Sequence, residues 1–139
     1  MNIVMTTDTY WPRINGVTIS IDTFKREFEK LGINAYVFAP DYPEDNRDKG
    51  KNVIGFKTGN VFRFTSMGLF FDKEDRLVLP TSKNFMFDQF DAVKPDVVHI
   101  QTEFTTSTLA RQYCKSRKIP IVMTCHTYFE QYINFYLPF

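Results

Sequence analysis

Apolar and polar positions alternate in two rhythms along the chain. Asn2 to Thr6 (NIVMT) is a short apolar run followed by polar residues and Trp11-Pro12, the pattern of a buried first strand running out into a loop from Thr7 to Gly16. Val17, Ile21, Phe24, Phe28 and Leu31 then recur at spacings of four, three, four and three. That is the stripe of a helix lying on a sheet, with Lys25, Arg26, Glu27 and Lys30 toward water and Gly32 as its stop. Ala35 to Ala39 is a second apolar run, closed by Pro40-Asp41-Tyr42-Pro43. Strand, helix and strand with short connections call for a right-handed parallel crossover.

The charged stretch Glu44 to Asn52 (EDNRDKGKN) predicts a mobile surface loop. Between Val53 and Pro80 the pattern is weaker: strands are expected at Val53-Phe56 and Val61-Phe64, and loop for the rest, including Phe70-Phe71 and Leu77-Leu79. Met86, Phe90 and Val93 form a helical stripe that must end near Lys94, because Pro95 disfavours helical geometry before it. Asp96 to Ile100 (DVVHI) follows as a buried strand. Thr105 to Ser107 can cap a third helix with the stripe Leu109, Ala110, Tyr113 and Cys114, and Ile119 to Thr124 (IPIVMT) is the next strand. The expected fold is α/β, a Rossmann-like parallel sheet flanked by helices with these four main strands side by side. Tyr128 to Phe139 is aromatic throughout and carries no stop signal, so the chain is expected to be an incomplete domain.

Composition narrows the classes. The chain has 139 residues, 43% of them hydrophobic, enough for one domain with a core. Seventeen Lys and Arg against sixteen Asp and Glu leave a net charge of +1, which argues against a general nucleic-acid binder. Cys114 and Cys125 are too few for a disulfide framework, and with His99 and His126 they form no zinc-site spacing, so no metal is expected. No signal-peptide pattern and no run of ~18 apolar residues is present, which suits a cytoplasmic protein. Fifteen Phe are an excess, and some of them are expected on an apolar binding surface.

In an open parallel sheet, ligands bind beyond the carboxyl ends of the strands. Three loops emerge there: Asp8 to Gly16, Gln101-Thr102-Glu103 and Cys125-His126-Thr127. Asn15-Gly16 directly before a helix can admit a diphosphate to backbone N–H groups at the positive helix end, or it can be a plain turn; no GxGxxG or GxxxxGK[ST] decides it. His126, just past a strand, can hydrogen-bond a sugar hydroxyl or exchange a proton, whereas His99 lies within an apolar strand and reads as a core histidine. Asp8 and Glu103 are either site carboxylates or solvated loop residues. Arg111, Lys115, Arg117 and Lys118 form a solvated face or a contact for acidic lipid headgroups.

Four stretches in order along the chain carry a resemblance: TDTYWPRINGV, VFRFTS followed by DRLVLP, KPDVVHIQTEF and IPIVMTCHTYFEQY. Together they resemble the N-terminal part of a family 4 (group 1) retaining GT-B glycosyltransferase. The ending HTYFEQYINFYLP is similar to members that glycosylate diacylglycerol, and mannosyltransferases carry similar loops. The resemblance implies an incomplete N-terminal half of a GT-B fold over residues 1–139, with the nucleotide-sugar domain absent. It implies transfer of a hexose from UDP- or GDP-hexose with retention, no further cofactor, and a lipid or saccharide acceptor at the inner face of a membrane. Asn15, Gly16 and Val17 would meet the donor diphosphate, His126 the sugar near its reacting carbon, and Asp8, Glu103 and Glu130 would lie on the acceptor side. By itself the chain would be inactive. The rival is a non-catalytic Rossmann-like module binding a nucleotide or a protein; a nucleotide-sugar epimerase or dehydrogenase would want a GxGxxG after the first strand, where only Gly16 stands.

Overall fold

A computed structural model describes residues 1–43, 55–69 and 76–126. The charged loop expected from Glu44 to Asn52, the aromatic tail from Tyr128 to Phe139 with Glu130, and Phe70-Phe71 lie outside the described residues. The elements are β1 (Asn2–Thr6), α1 (Gly16–Lys30), β2 (Asn34–Pro40), β3 (Gly55–Thr58), β4 (Val61–Phe64), β5 (Ser66–Gly68), β6 (Arg76–Val78), α2 (Lys83–Val93), β7 (Val97–Ile100), α3 (Thr105–Arg117) and β8 (Ile121–Met123).

Six strands form one sheet in the order β3-β4-β2-β1-β7-β8. β1 pairs in parallel with β2 on one side and β7 on the other, β4 continues parallel to β2, and β8 parallel to β7. The four expected strands therefore lie side by side. The sheet is mixed rather than wholly parallel, because β3 pairs antiparallel with β4 at one edge. Gly59, at φ +58, turns the chain between them, a left-handed conformation that glycine adopts without a Cβ penalty. A second departure is the antiparallel pair β5 and β6, where loop was expected. Three-residue strands are too short to show period-2 alternation, and this pair is held by long-range contacts that local pattern cannot carry: Ser66 N–H and its hydroxyl both donate to Asp41 Oδ1 (2.9 and 2.7 Å), and Leu79 N–H donates to the Thr65 carbonyl (2.9 Å).

Both faces of the sheet are covered. Ile3, Met5, Ala35, Val37 and Ala39 face α1 through Ile21, Val17, Phe24 and Phe28. Val4, Phe38, Phe62, Phe64, Val98 and Ile100 face α2 and α3 through Met86, Phe90, Val93, Leu109, Ala110 and Tyr113. The centre of this second layer is aromatic: Phe90 lies 4.4 Å from Phe38 and stacks at 4.4 Å on Tyr113, and Phe38 meets Phe62 and Phe64 at 4.9 and 5.2 Å. Among the described side chains no Phe is exposed, and Phe24, Phe28, Phe38, Phe62, Phe64, Phe85, Phe87 and Phe90 pack in or against the core.

Strand order runs outward in both directions from the β1–β7 pair, which makes this pair the topological switch point. The crevice beyond Thr6 and Ile100 is where such a sheet places its ligand.

Candidate functional site

The segment after β1 is buried from Thr7 to Tyr10, unusual for a loop carrying Asp8. Its polar groups are satisfied across the switch point. Asp8 Oδ1 accepts from Thr106 N–H (3.1 Å), and Oδ2 accepts from the Thr102 hydroxyl (2.6 Å) and Phe104 N–H (3.1 Å). The carboxylate thus caps α3 from ninety-odd residues away, replacing the local cap expected from Thr105 to Ser107; Phe104 is the N-cap residue and makes no side-chain cap bond. Burial raises the Asp8 pKa, and the hydroxyl and backbone donors oppose that shift. With both oxygens engaged and the residue fully buried, Asp8 holds β1, the Gln101–Phe104 loop and α3 together.

Farther on, the Tyr10 hydroxyl and the Trp11 indole N–H both donate to the Asp22 carboxylate on α1, and Tyr10 N–H donates to the Tyr42 hydroxyl (2.9 Å). The guanidinium groups of Arg13, Arg63 and Arg76 lie 4.9, 5.8 and 5.6 Å from the Tyr42 ring centroid. Asn15 is the N-cap of α1: its side-chain oxygen accepts from Thr18 N–H (2.9 Å) and its amide donates to Thr9 Oγ1 (2.9 Å). Gly16 begins the helix exposed, a Cβ there would meet nothing within 4 Å, and the first turn carries no acidic side chain. The positive end of α1 is therefore open beside Gly16 and Val17.

On the other side of the switch point, His126 follows β8 and approaches Gln101, which follows β7; His126 Nε2 is 2.7 Å from Gln101 Oε1. Gln101 is 1% exposed and its amide nitrogen lies 3.2 Å from each ring nitrogen of His99. His99 Nε2 in turn is 2.6 Å from Thr124 Oγ1, and the Phe24 ring meets the imidazole edge-on at 5.0 Å. Partial burial lowers the pKa of His126; burial, then the neighbouring His126, lowers that of His99. His99 is thus the buried, hydrogen-bonded core histidine that its strand position suggested. Glu103 is exposed, and Cys125 Sγ lies 3.6 Å from its Oε1. Among the described residues no three His, Cys, Asp or Glu side chains are grouped as a metal site requires.

Gly16, Glu103 and His126 all follow parallel strands or open helices at the carboxyl edge of the sheet. Gln101 was missed as a member of this site, although it continues the period-2 face of His99 one residue beyond β7. The Asp22 clasp and the three guanidinium groups around Tyr42 were also missed, since they join segments far apart in sequence.

A sequence profile described as Glycosyltransferase Family 4 matches residues 14–139. The chain belongs to this family. Two proteins each named alpha-monoglucosyldiacylglycerol synthase are similar: one from Streptococcus pneumoniae, 30% identical over 142 residues, and one from Acholeplasma laidlawii, 31% identical over 135 residues. Each alignment covers 97% of this chain, and 29% and 32% of the two relatives, so the family 4 chain spans about a third of the length of the curated relatives it matches. No helix among the described residues is long and apolar enough to cross a membrane.

Proposed function

We propose that this chain forms one wall of the catalytic crevice of a retaining hexosyltransferase that uses a nucleotide sugar, UDP- or GDP-hexose, as donor. The observation that carries the reading is the arrangement at one sheet edge: an open, Asn15-capped helix N-terminus at Gly16 and, beyond the β7 and β8 strands, His126 fixed on Gln101, all in a chain of glycosyltransferase family 4.

The leaving diphosphate approaches the backbone N–H groups at Gly16 and Val17, where the helix end stabilises the charge that develops as the glycosidic bond breaks. His126, neutral near pH 7 because its pKa is lowered, offers its ring to a sugar hydroxyl close to the reacting carbon. Glu103, exposed after β7, faces the acceptor side, and Glu130 joins it in the same reading. Asp8 serves the acceptor side by positioning the Gln101–Phe104 loop rather than by contact. The acceptor is a diacylglycerol-type lipid, as the names of both relatives suggest, which makes the enzyme a peripheral protein at the inner face of the membrane. The remaining donor contacts come from a second domain.

His126→Ala in the full-length enzyme tests the assignment. Turnover falls by about 30- to 1000-fold, the effect of losing roughly 2–4 kcal/mol of transition-state hydrogen bonding, while the donor Michaelis constant changes little. A variant with altered donor affinity and intact turnover would sink this reading.

A further inference from the structure

We propose that Gln101 is a positioning residue that holds His126 in the tautomer with its proton on Nε2, leaving Nδ1 as an acceptor for a hydroxyl of the donor sugar. The proposal rests on the reading of His126 given above and names the polarity of the contact that His126 makes.

A side-chain amide has one acceptor oxygen and one donor nitrogen, and here the two ends meet two different imidazoles. Gln101 Oε1 lies 2.7 Å from His126 Nε2, so His126 donates there. The amide nitrogen lies 3.2 Å from His99, and His99 Nε2 lies 2.6 Å from the Thr124 hydroxyl. If His99 donates from Nε2 to Thr124, its Nδ1 is the lone pair that receives the Gln101 amide proton, and every group in the chain His126, Gln101, His99, Thr124 is satisfied once. Gln101 is 1% exposed and His99 6%, so water is not at hand to replace the bond between them, and an amide turned end for end would have to reverse the roles of all four residues together. A neutral imidazole whose Nε2–H is committed presents only an acceptor at Nδ1, which matches the O–H of a sugar and rejects a group that only accepts. Among the described residues the charged or titratable groups near the pair include His99 on β7, Glu103 after β7, Cys125, whose Sγ lies 3.6 Å from Glu103, and Asp8, whose carboxylate is turned to α3. Among the described residues the hydrogen bond recorded for the His126 ring is the one to the neutral Gln101 amide, so tautomer selection is assigned to that amide.

The test uses the full-length enzyme labelled with nitrogen-15 in histidine, His126 being assigned by its loss in His126→Ala. In the native enzyme His126 Nδ1 should resonate as an unprotonated, pyridine-type nitrogen and Nε2 as the protonated one. In Gln101→Leu the two tautomers should mix, and turnover should fall roughly tenfold with little change in donor Michaelis constant, the scale seen when a histidine loses the partner that orients it. Gln101→Glu keeps the acceptor and so should retain the Nε2–H tautomer, while its carboxylate moves the acid limb of the turnover profile to higher pH. A native spectrum with the proton on Nδ1, or a Gln101→Leu spectrum and pH profile identical to the native ones, would overturn the proposal. If His126→Ala leaves turnover intact while the spectra behave as described, the fault lies with the sugar contact and not with the tautomer assignment.

Discussion

At the scale of single residues, Gly16 and Asn15 divide the work of one helix end. Asn15 uses one bond from each end of its amide inside the protein, on Thr18 N–H and the Thr9 hydroxyl, to cap the helix. Gly16 has ordinary backbone geometry and open space where a Cβ would stand, so folding does not require glycine there. Gly16→Val should therefore leave the denaturation midpoint within about 0.5 kcal/mol of native, as surface substitutions do. It should raise the donor Michaelis constant by filling the space through which a diphosphate approaches. Steady-state kinetics beside a urea titration checks both halves; an unchanged Michaelis constant would remove Gly16 from the diphosphate site. His99 gives a second test. Its pKa is lowered in the fold, so between that value and the ordinary imidazole value of about 6.5 the unfolded chain binds more protons, and stability falls as pH drops through this window. Urea midpoints measured at about pH 7.5 and about pH 5 should differ less in His99→Leu than in the native protein, because the substituted chain has lost that titration. An equal pH dependence in the two would show that His99 is not held neutral by its surroundings.

At the scale of elements, α3 shows why parts of the fold were legible and others not. Its apolar stripe, Leu109, Ala110, Tyr113 and Cys114, is local in sequence and all four residues are buried, as are Met86, Phe90 and Val93 of α2. Its cap is not local. Asp8 reaches Thr106 N–H and Phe104 N–H across the switch point, and nothing near Thr105 signals that. For the same reason Gln101 escaped the site reading: a glutamine after a strand carries no motif, and its meaning arises only when β8 delivers His126 to it. β5 and β6 escaped because three residues are too few for a period. What the sequence pattern could locate was where Gly16, Glu103 and His126 stand relative to the strands and to α1; what it could not were the side chains whose partners come from other strands. The Asp8 cap makes a prediction of its own. Asp8→Ala leaves the N–H groups of Phe104 and Thr106 without their acceptor and should cost about 2–3 kcal/mol, the penalty of an unsatisfied buried donor added to the loss of a helix cap. Asp8→Asn retains one acceptor oxygen and should cost less. Equal stability of Asp8→Ala and the native chain in thermal or urea unfolding would show that α3 needs no cap from β1.

At the scale of the whole molecule, β8 lies at the edge of the sheet among the described residues. Its Ile121, Val122 and Met123 are 38, 52 and 36% exposed, while β1, β2 and β4 are covered on both faces. The two relatives are about three times as long as the aligned region, which fits the proposal that the crevice has a second wall beyond it. In the proposed reading the wall formed by this chain supplies a helix end for the diphosphate, a histidine for the sugar and the Glu103 carboxylate on the acceptor side. Three aromatic side chains at this edge are already engaged: Tyr42 is buried under three guanidinium groups, and Tyr10 and Trp11 are bound to Asp22. In the proposed crevice the base is gripped from the opposite wall. A polypeptide restricted to residues 1–139 should accordingly show no transfer of sugar to diacylglycerol in vesicles, and its calorimetric titration with UDP-glucose or GDP-mannose should give affinity no tighter than about 1 mM, near 4 kcal/mol. Joined to the remainder of the enzyme, the same residues should contribute to micromolar binding, and the Gly16→Val change should then be felt as lost affinity. Micromolar binding by residues 1–139 alone would mean that this wall grips the nucleotide by itself and that the two-walled crevice is the wrong picture.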